Sequence, residues 1–567
     1  RWHNRVLVFS YSGADGVQRR LEVHPDPPPR KASGANPVFS LRLGPGERRQ
    51  IRISLRIIES RAEPEPPHRI SAELGKAAGA AGRRTEDWLA RYAEVQTDNP
   101  LLNEVVGRSL RDLGILESSL DDCEFFAAGL PWYGALFGRD SIIAALQTLA
   151  FEPQIAEQTA RLLARHQGRG NDDWRDMQPG KILHELRRGE LANLNEIPQT
   201  PYYGSVDSTP LFLILVGEHA NWTGSLRLFE EIRENIERAL HWIDTFGAEA
   251  QGGYLSYASK SSGGLGNQGW KDSGDSIMNA DGSLAEPPIA LVEVQGYVYR
   301  AKLLMAGLYE RSGDHPTAAR LRAEAEELKS RFNRDFWLED RQFYALALQK
   351  GGRPAEVISS NPGQALWTGI VDNARAADVM RHLISDDMFS GWGIRTLSRK
   401  ERRYNPIGYH LGTVWPHDNS LIAAGLRRYG FDMAALRVMS GMLEAARHFA
   451  HYRLPEVFAG FPREEFPEPV RYPVACHPQA WAAGSVPFLL DALLGLVPDA
   501  FNGRLRVVRP VLPEGVRELE FRRVKIGDGT LDLRFERTAE GTVKAAAVEQ
   551  TGNVQVQIEP ESQPKAA

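Results

Sequence analysis

Pro288-Ile289-Ala290-Leu291-Val292-Glu293-Val294-Gln295-Gly296-Tyr297-Val298-Tyr299-Arg300-Ala301-Lys302-Leu303-Leu304-Met305-Ala306-Gly307-Leu308-Tyr309-Glu310-Arg311-Ser312 runs through Gly313-Asp314-His315 into a second segment, Pro316 to Phe336. In both, apolar residues recur three and four apart, and the Gly, Asp and Pro between them stop one helix and start the next. The same reading applies near Val105–Glu117, Ser141–Thr148, Pro153–His166, Thr209–His219, Ser225–Phe246, Ala374–Ile384, Asn419–Tyr429, Asp432–Phe449 and Gln479–Leu494. Eleven or twelve helices joined by loops of unequal length suggest paired helices closed in a ring, an (α/α)6 toroid. The long Gly- and aromatic-rich loops would then gather at one rim.

Outside this region the period changes from helical to alternating. Val6–Phe9, Phe39–Leu43 and Ile51–Leu55 read as strands of a partial β-sandwich, followed by a Pro-rich linker from Arg61 to His68. Leu505–Val508, Leu519–Phe521, Leu531–Phe535 and Val554–Ile558 read as a small C-terminal β domain, with the tail from Glu559 to Ala567 frayed. The expected organisation is residues 1–76 as an N-terminal β-sandwich remnant and linker, 77–496 as the helical catalytic barrel and 497–567 as the C-terminal β domain. The fold class is mainly α.

At 567 residues the chain exceeds the roughly 250–300 that one core usually serves, in keeping with several parts. A net charge of -5 gives no basic footprint, which argues against nucleic acid or an anionic membrane as partner and favours a small neutral ligand. Cys123 and Cys476 are too few for a disulfide framework. No run of about 18 apolar residues suggests a membrane span. The first residue is not Met and no leader pattern follows it, so the start is expected to be a cut or processed end, and the expected compartment is cytoplasmic.

Two acids stand out by their company. Gly269-Trp270-Lys271-Asp272-Ser273-Gly274-Asp275-Ser276 sets Asp272 after an aromatic, in a loop expected to enter a helix-like Ser276–Asn279. Leu454-Pro455-Glu456-Val457-Phe458 sets Glu456 behind a proline that restricts the backbone of Leu454 and fixes its own. Hydrolysis of a glycosidic bond needs one carboxyl to protonate the leaving oxygen and a second, ionised one to activate water or attack the sugar. An isolated Asp or Glu is usually an ordinary exposed loop acid.

Five loop clusters around them pair hydroxyl-binding groups with flat apolar faces. Trp132 and Tyr133 precede Arg139 and Asp140; Tyr203 precedes Asp207; Trp392 lies in Phe389–Arg395; His410, Trp415 and His417 lie in Tyr409–Asn419; Gln479 and Trp481 follow Cys476. A pyranose has hydroxyls at its edge and C–H groups on its faces, so it calls for this mixture. Nine of the twelve tryptophans fall between Trp132 and Trp415, several in these loops. The ordinary use of a single Trp or Tyr is core packing, and it is their clustering in loops that argues otherwise.

Three other patterns fail. Gly264–Gly269 fits the dinucleotide glycine spacing without a βαβ unit around it; His184-Glu185 lacks the second histidine of a zinc helix; Gly274-Asp275-Ser276 lacks a nucleophile elbow. No metal and no cofactor is expected.

Phe137-Gly138-Arg139-Asp140, Trp270-Lys271-Asp272, Gly412–Asp418 and Leu454-Pro455-Glu456 together resemble the amylo-α-1,6-glucosidase family, the glucosidase part of glycogen debranching enzymes, over roughly Leu101–Leu496. The resemblance implies an inverting (α/α)6 glycoside hydrolase releasing glucose from α-glucosides, with Asp272 as acid and Glu456 as base. It further implies that Arg139, Asp140, Asp207, Trp415 and His417 line the subsite of the non-reducing sugar, with Trp132, Tyr133, Tyr203, Trp270, Lys271, Trp392, His410, Gln479 and Trp481 as further substrate-binding candidates. Asp275 remains an alternative acid. The large glucanotransferase part of eukaryotic debranching enzymes has no counterpart, which restricts the expected substrate to exposed single branch glucoses or another small α-glucoside. A sugar phosphorylase on the same scaffold and a non-catalytic carbohydrate-binding toroid stay open as alternatives.

Overall fold

The computed structural model describes residues 1–62, 64–67, 74–247 and 252–559. Part of the Arg61–His68 linker and the tail from residue 560 onward lie outside the described residues. The chain divides into two compact units, residues 1–88 with 188–200, and residues 89–187 with 201–567.

The first unit is built on a four-stranded antiparallel sheet in which Trp2–His3, Val6–Ser12, Gln18–Asp26 and Arg52–Ser60 follow one another. The inserted segment 188–200 joins it: Asn193 donates to Asp15 at 2.8 Å, and the Ala14 N–H donates to Glu190 at 2.6 Å. Phe39–Leu43, read from sequence as a strand, is irregular.

Among the described residues of the second unit, twelve helices of eight residues or more alternate between two roles. They are α1 (Pro100–Leu116), α2 (Gly138–Gln147), α3 (Gln154–Arg165), α4 (Ser208–Thr223), α5 (Arg233–Asp244), α6 (Val292–Arg311), α7 (His315–Asp335), α8 (Asn361–Thr368), α9 (Asn373–Leu383), α10 (Pro416–Arg428), α11 (Asp432–Ala446) and α12 (Ala480–Leu494). The even-numbered helices pack in sequence, α2 on α4, α4 on α6, α6 on α8, α8 on α10, α10 on α12 and α12 back on α2. Each odd-numbered helix lies against one or two of them.

Sequence explains the two roles. In α4 almost every position from Ser208 to Trp222 is buried, as a helix surrounded by protein requires. In α7 the buried positions Ala318, Leu321, Ala325, Leu328 and Phe332 form one stripe, as an outer helix requires. Glycines set the inner spacing. A Cβ on Gly217 would meet Leu304 at 2.6 Å, and one on Gly425 would meet the Trp367 nitrogen at 2.6 Å.

Eleven of these twelve helices match segments read from the sequence. The sequence shows no helical period over α8, and 225–246 reads as one helix where the chain breaks at Ile232 between Arg227–Glu231 and α5. The C-terminal strands form an antiparallel sheet, Val543–Thr551, Gly529–Arg537 and Glu518–Ile526, completed by Glu94–Thr97 just ahead of α1. The second unit is thus a helical domain that carries sheets of its own. Among the described residues no helix is long and apolar enough to cross a membrane, and no group of three His, Cys, Asp or Glu could hold a metal.

Candidate active site

Chemistry-bearing side chains collect where the even-numbered helices begin. Arg139 and Asp140 occupy the first turn of α2, Asp207 stands just before α4, Glu293 lies in the first turn of α6, Trp415 stands just before α10 with His417 in its first turn, and Gln479 stands just before α12. Helix N-termini present free N–H groups and partial positive charge, which favours carboxylates there. Two long connections reach over these ends: residues 245–291 deliver Asp272, and 447–479 deliver Glu456.

The turn carrying Asp272 is fixed on every side. Trp270 is 2% exposed and meets the rings of His417, His410 and Trp415 edge-on at 4.9, 5.6 and 5.8 Å. The Lys271 ammonium donates to the Thr396 carbonyl at 2.6 Å, and Asn267 donates to the Ser273 carbonyl at 2.8 Å. The Ser273 hydroxyl and His410 Nδ1 share a hydrogen bond of 2.8 Å. No helix follows at Ser276–Asn279, contrary to the sequence reading; Ser276 instead turns its hydroxyl back to the Lys271 and Ser273 carbonyls.

Asp272 is thereby aimed at Arg139, whose Nη2 donates to Oδ2 at 3.0 Å while Nη1 holds both oxygens of Asp207 at 2.9–3.0 Å. Burial pushes the Asp272 carboxyl up to about 6 against the lowering effect of Arg139, with the Asp207 charge adding to the rise. Its side chain keeps 27% of its surface exposed, so protein encloses the group while one edge faces solvent. Asp275, three residues on, is exposed.

Glu456 is 2% exposed and held from two directions. The Tyr409 hydroxyl donates to Oε1 at 2.5 Å and the Cys476 N–H donates to Oε2 at 2.8 Å. Burial raises its proton affinity, these two hydrogen bonds lower it, and the negative charge of Asp272 raises it, for a net rise. The charges of both acids also push up the hydroxyls of Tyr133 and Tyr409 and the carboxyl of Asp140. The acids therefore act on one shared group of residues.

Asp140 is 5% exposed and pushed up to about 7, by burial first. Gln479 approaches its Oδ1 at 3.4 Å. The His417 ring lies flat on Trp481 at 3.7 Å, and His410 lies on Trp415 at 5.0 Å. Trp132 stands at the rim, 60% exposed, donating to the Val474 carbonyl at 3.0 Å. Two candidates sit elsewhere. Trp392 packs on His448 and beneath Arg463, and Tyr203 donates its hydroxyl to the His166 carbonyl at 2.7 Å.

Sequence reading does not single out Tyr409, Glu293 or Asp418. Tyr409 lies within one of the loop clusters, so its neighbours give the signal; Glu293 is hidden in an apolar run. The charges of Asp418 and Glu293 hold up the proton affinity of the buried Lys271 ammonium, which burial brings down to about 8, and Gln364 donates to Asp418 at 2.6 Å.

The model of the mannosylglycerate hydrolase MGH1-like glycoside hydrolase domain matches residues 136–461, a span that contains both acids. The chain belongs to this family. No curated protein matches this chain. Among solved structures it is similar to a sialidase (TM-score 0.62, 13% identity, covering 84% of this chain and 42% of that one). It is also similar to a GH78 family rhamnosidase of Bacillus sp. GL1 (0.60, 14%, 98% and 51%) and to the GH63 mannosylglycerate hydrolase of Thermus thermophilus (0.51, 13%, 68% and 99%). The chain spans about half the length of the first two. At these identities the likeness is one of fold.

Proposed function

We propose that this glycoside hydrolase removes a terminal hexose from a small α-glycoside with inversion at the anomeric carbon. Asp272 gives its proton to the glycosidic oxygen as the C1–O bond breaks. Glu456 takes a proton from the water whose oxygen forms the new C1–O bond on the opposite face. Asp272 ends the cycle ionised and Glu456 protonated, and solvent resets both.

The observation that carries this reading is the different support given to the two carboxyls. Asp272 has a raised proton affinity and a solvent-facing edge, which suits a proton donor. Glu456 accepts two hydrogen bonds that favour its ionised form and hold it in place, which suits a base. Asp275 lacks that enclosure. A phosphorylase reading is disfavoured, because an anionic phosphate would have to sit against the Glu456 carboxylate.

The cyclic packing of α2, α4, α6, α8, α10 and α12 supports a closed (α/α)6 toroid as the scaffold. For the sugar, an α-1,6-linked glucose is one candidate, from the motif resemblance. An α-glycoside of glycerate is the other, since the matched family is named for a mannosylglycerate hydrolase.

The test is release of free sugar from isomaltose, panose, mannosylglycerate and glucosylglycerate, with proton NMR of the first product. The β anomer is expected from an α-linked substrate. Early appearance of the α anomer would overturn inversion, and turnover of none of the four would overturn the substrate class.

A further inference from the structure

The far ends of the same helices enclose a cavity of about 450 Å³. Leu146 of α2, Glu218 and Trp222 of α4, Arg300 of α6, Trp367 of α8, Arg428 of α10 and Asp491 of α12 all face it, and residues 495–498 and 506–509 cover it. These positions lie toward the C-terminal ends of helices whose N-termini carry the active site, apart from Arg300, which is mid-helix. Its size falls in the range of about 300–1,000 Å³ used for small ligands.

Helix C-termini leave carbonyls unsatisfied and carry partial negative charge, so arginines are expected there for purely structural reasons. Arg427 does that work: it donates to the carbonyls of Ala492, Val508 and Arg509 and pairs with Asp432. Arg509 also bonds Asp432, Arg506 pairs with Glu559, and Arg300 pairs with Glu218 at 2.6 Å.

Arg428 is different. It is exposed at its surface edge and, among the described residues, makes no hydrogen bond or ion pair; enclosure by protein and the charge of Arg300 oppose its own charge, and Glu218, already paired with Arg300, is the carboxylate that favours it. Asp491 adds a carboxyl whose Oδ1 is enclosed without a hydrogen-bond partner. Burial and the Glu218 charge push that carboxyl up to about 8, so near neutral pH it offers an O–H donor. Five guanidiniums thus line the cavity beside only two acids, Glu218 and Asp491, and the aromatic walls of Trp222, Trp367 and Phe488, while Asp432 and Glu559 pair with Arg427, Arg509 and Arg506 from outside the lining.

We propose that this cavity is a second binding site, for a small organic oxyanion of sugar size, a phosphate ester or a carboxylate, gripped by Arg428 beside Arg300 and Asp491. Such a ligand supplies the missing negative charge, accepts from the free guanidinium fork and from the Asp491 hydroxyl, and lays its apolar face on the tryptophans. The proposal does not depend on which residues catalyse.

The test is thermal unfolding of the whole chain titrated with glycerol 3-phosphate, citrate or inorganic phosphate, with glucose as the neutral control. A ligand bound only by the folded state raises Tm by an amount that grows with the logarithm of its concentration above Kd. Glycerol 3-phosphate or citrate is expected to raise Tm where glucose does not, and Arg428→Gln is expected to weaken that binding about tenfold or more, ~1.4 kcal/mol. Asp272→Asn is expected to bind the anion as the parent does. Should Arg428→Gln itself unfold early, Arg428→Lys, which keeps the charge and loses the fork, is expected to bind with intermediate strength. No Tm shift with any anion, an equal shift with glucose, undiminished binding by the Arg428 variants, or loss of binding in Asp272→Asn would each overturn the proposal. A response to inorganic phosphate equal to that of glycerol 3-phosphate would remove the organic body from it.

Discussion

Arg139 joins Asp272 to Asp207: one guanidinium nitrogen lies 3.0 Å from Oδ2 of Asp272 while the other holds Asp207, which is fully buried. The arginine ties the loop acid to the helix ends and offsets part of the rise in proton affinity that burial causes. Burial alone would carry Asp272 higher than about 6, and Arg139 holds it back. Arg139→Lys keeps a charge but cannot hold both carboxylates in the same fork. The alkaline limb of kcat/KM is therefore expected to move to higher pH, with activity down by ~10- to 100-fold. An unmoved limb would show that another group supplies the proton.

If Asp272 and Glu456 perform the two proton transfers, Asp272→Asn and Glu456→Gln each remove one, and general acid or base catalysis contributes about 10²–10⁴-fold. Losses of that size in kcat are expected, with circular dichroism and Tm close to the parent. Near-normal turnover by either variant would remove that residue from its role.

The pH profile follows from the same two groups. The acid must be protonated, so activity falls as pH rises past about 6; the base must be ionised, so activity falls as pH drops below the raised affinity of Glu456. A bell with its top on the acid side of neutrality is expected for kcat/KM. Because Asp272, Glu456 and Asp140 influence one another, its limbs report the set of carboxyls rather than single residues.

Much of this was readable from the sequence, for reasons that differ by element. Long outer helices such as α7 carry a complete apolar stripe, so their period shows. Helix α8 has eight residues, with Pro362 and Gly363 in its first turn, and seven of the eight are buried, so no one-sided pattern survives. A Cβ on Gly363 would meet Ile422 at 2.6 Å, which explains a glycine where a helix former is expected. Asp272 stands out because Trp270, which packs its turn in place, is a near neighbour in the chain, and Glu456 because Pro455 and Phe458 flank it. Loop aromatics also fill ordinary packing roles, as Trp392 and Tyr203 do, and local sequence does not separate the two uses. The partnership of Tyr409 with Glu456 links residues 47 apart, and nothing local announces it.

That partnership can be tested directly. A hydrogen bond to a charged group contributes about 1.5–3 kcal/mol, and the Tyr409 hydroxyl favours the ionised form of Glu456. In Tyr409→Phe the proton affinity of Glu456 is expected to rise, moving the acid limb of the profile to higher pH. kcat is expected to fall ~10- to 100-fold. A fall in kcat with the limb unmoved would assign Tyr409 to the substrate rather than to the base.

Asp140 should cost the fold stability in return for its place in the site. An unfolded Asp titrates near 3.9, whereas this one is pushed up to about 7. Between those values the folded state binds the extra proton, so the stability it contributes is present at acid pH and is lost as pH rises toward 7. Asn cannot ionise and keeps the shape. Asp140→Asn is expected to match the parent in Tm near pH 4 and to exceed it by a few degrees at pH 8, about 1–3 kcal/mol after allowing for the favourable α2 N-terminus. Activity is expected to fall at both. Equal Tm values at pH 4 and pH 8 would mean that Asp140 ionises as freely in the folded chain as in the unfolded one, and that the crowding of carboxyls at this helix end is relieved by the solvent-facing edge of the site.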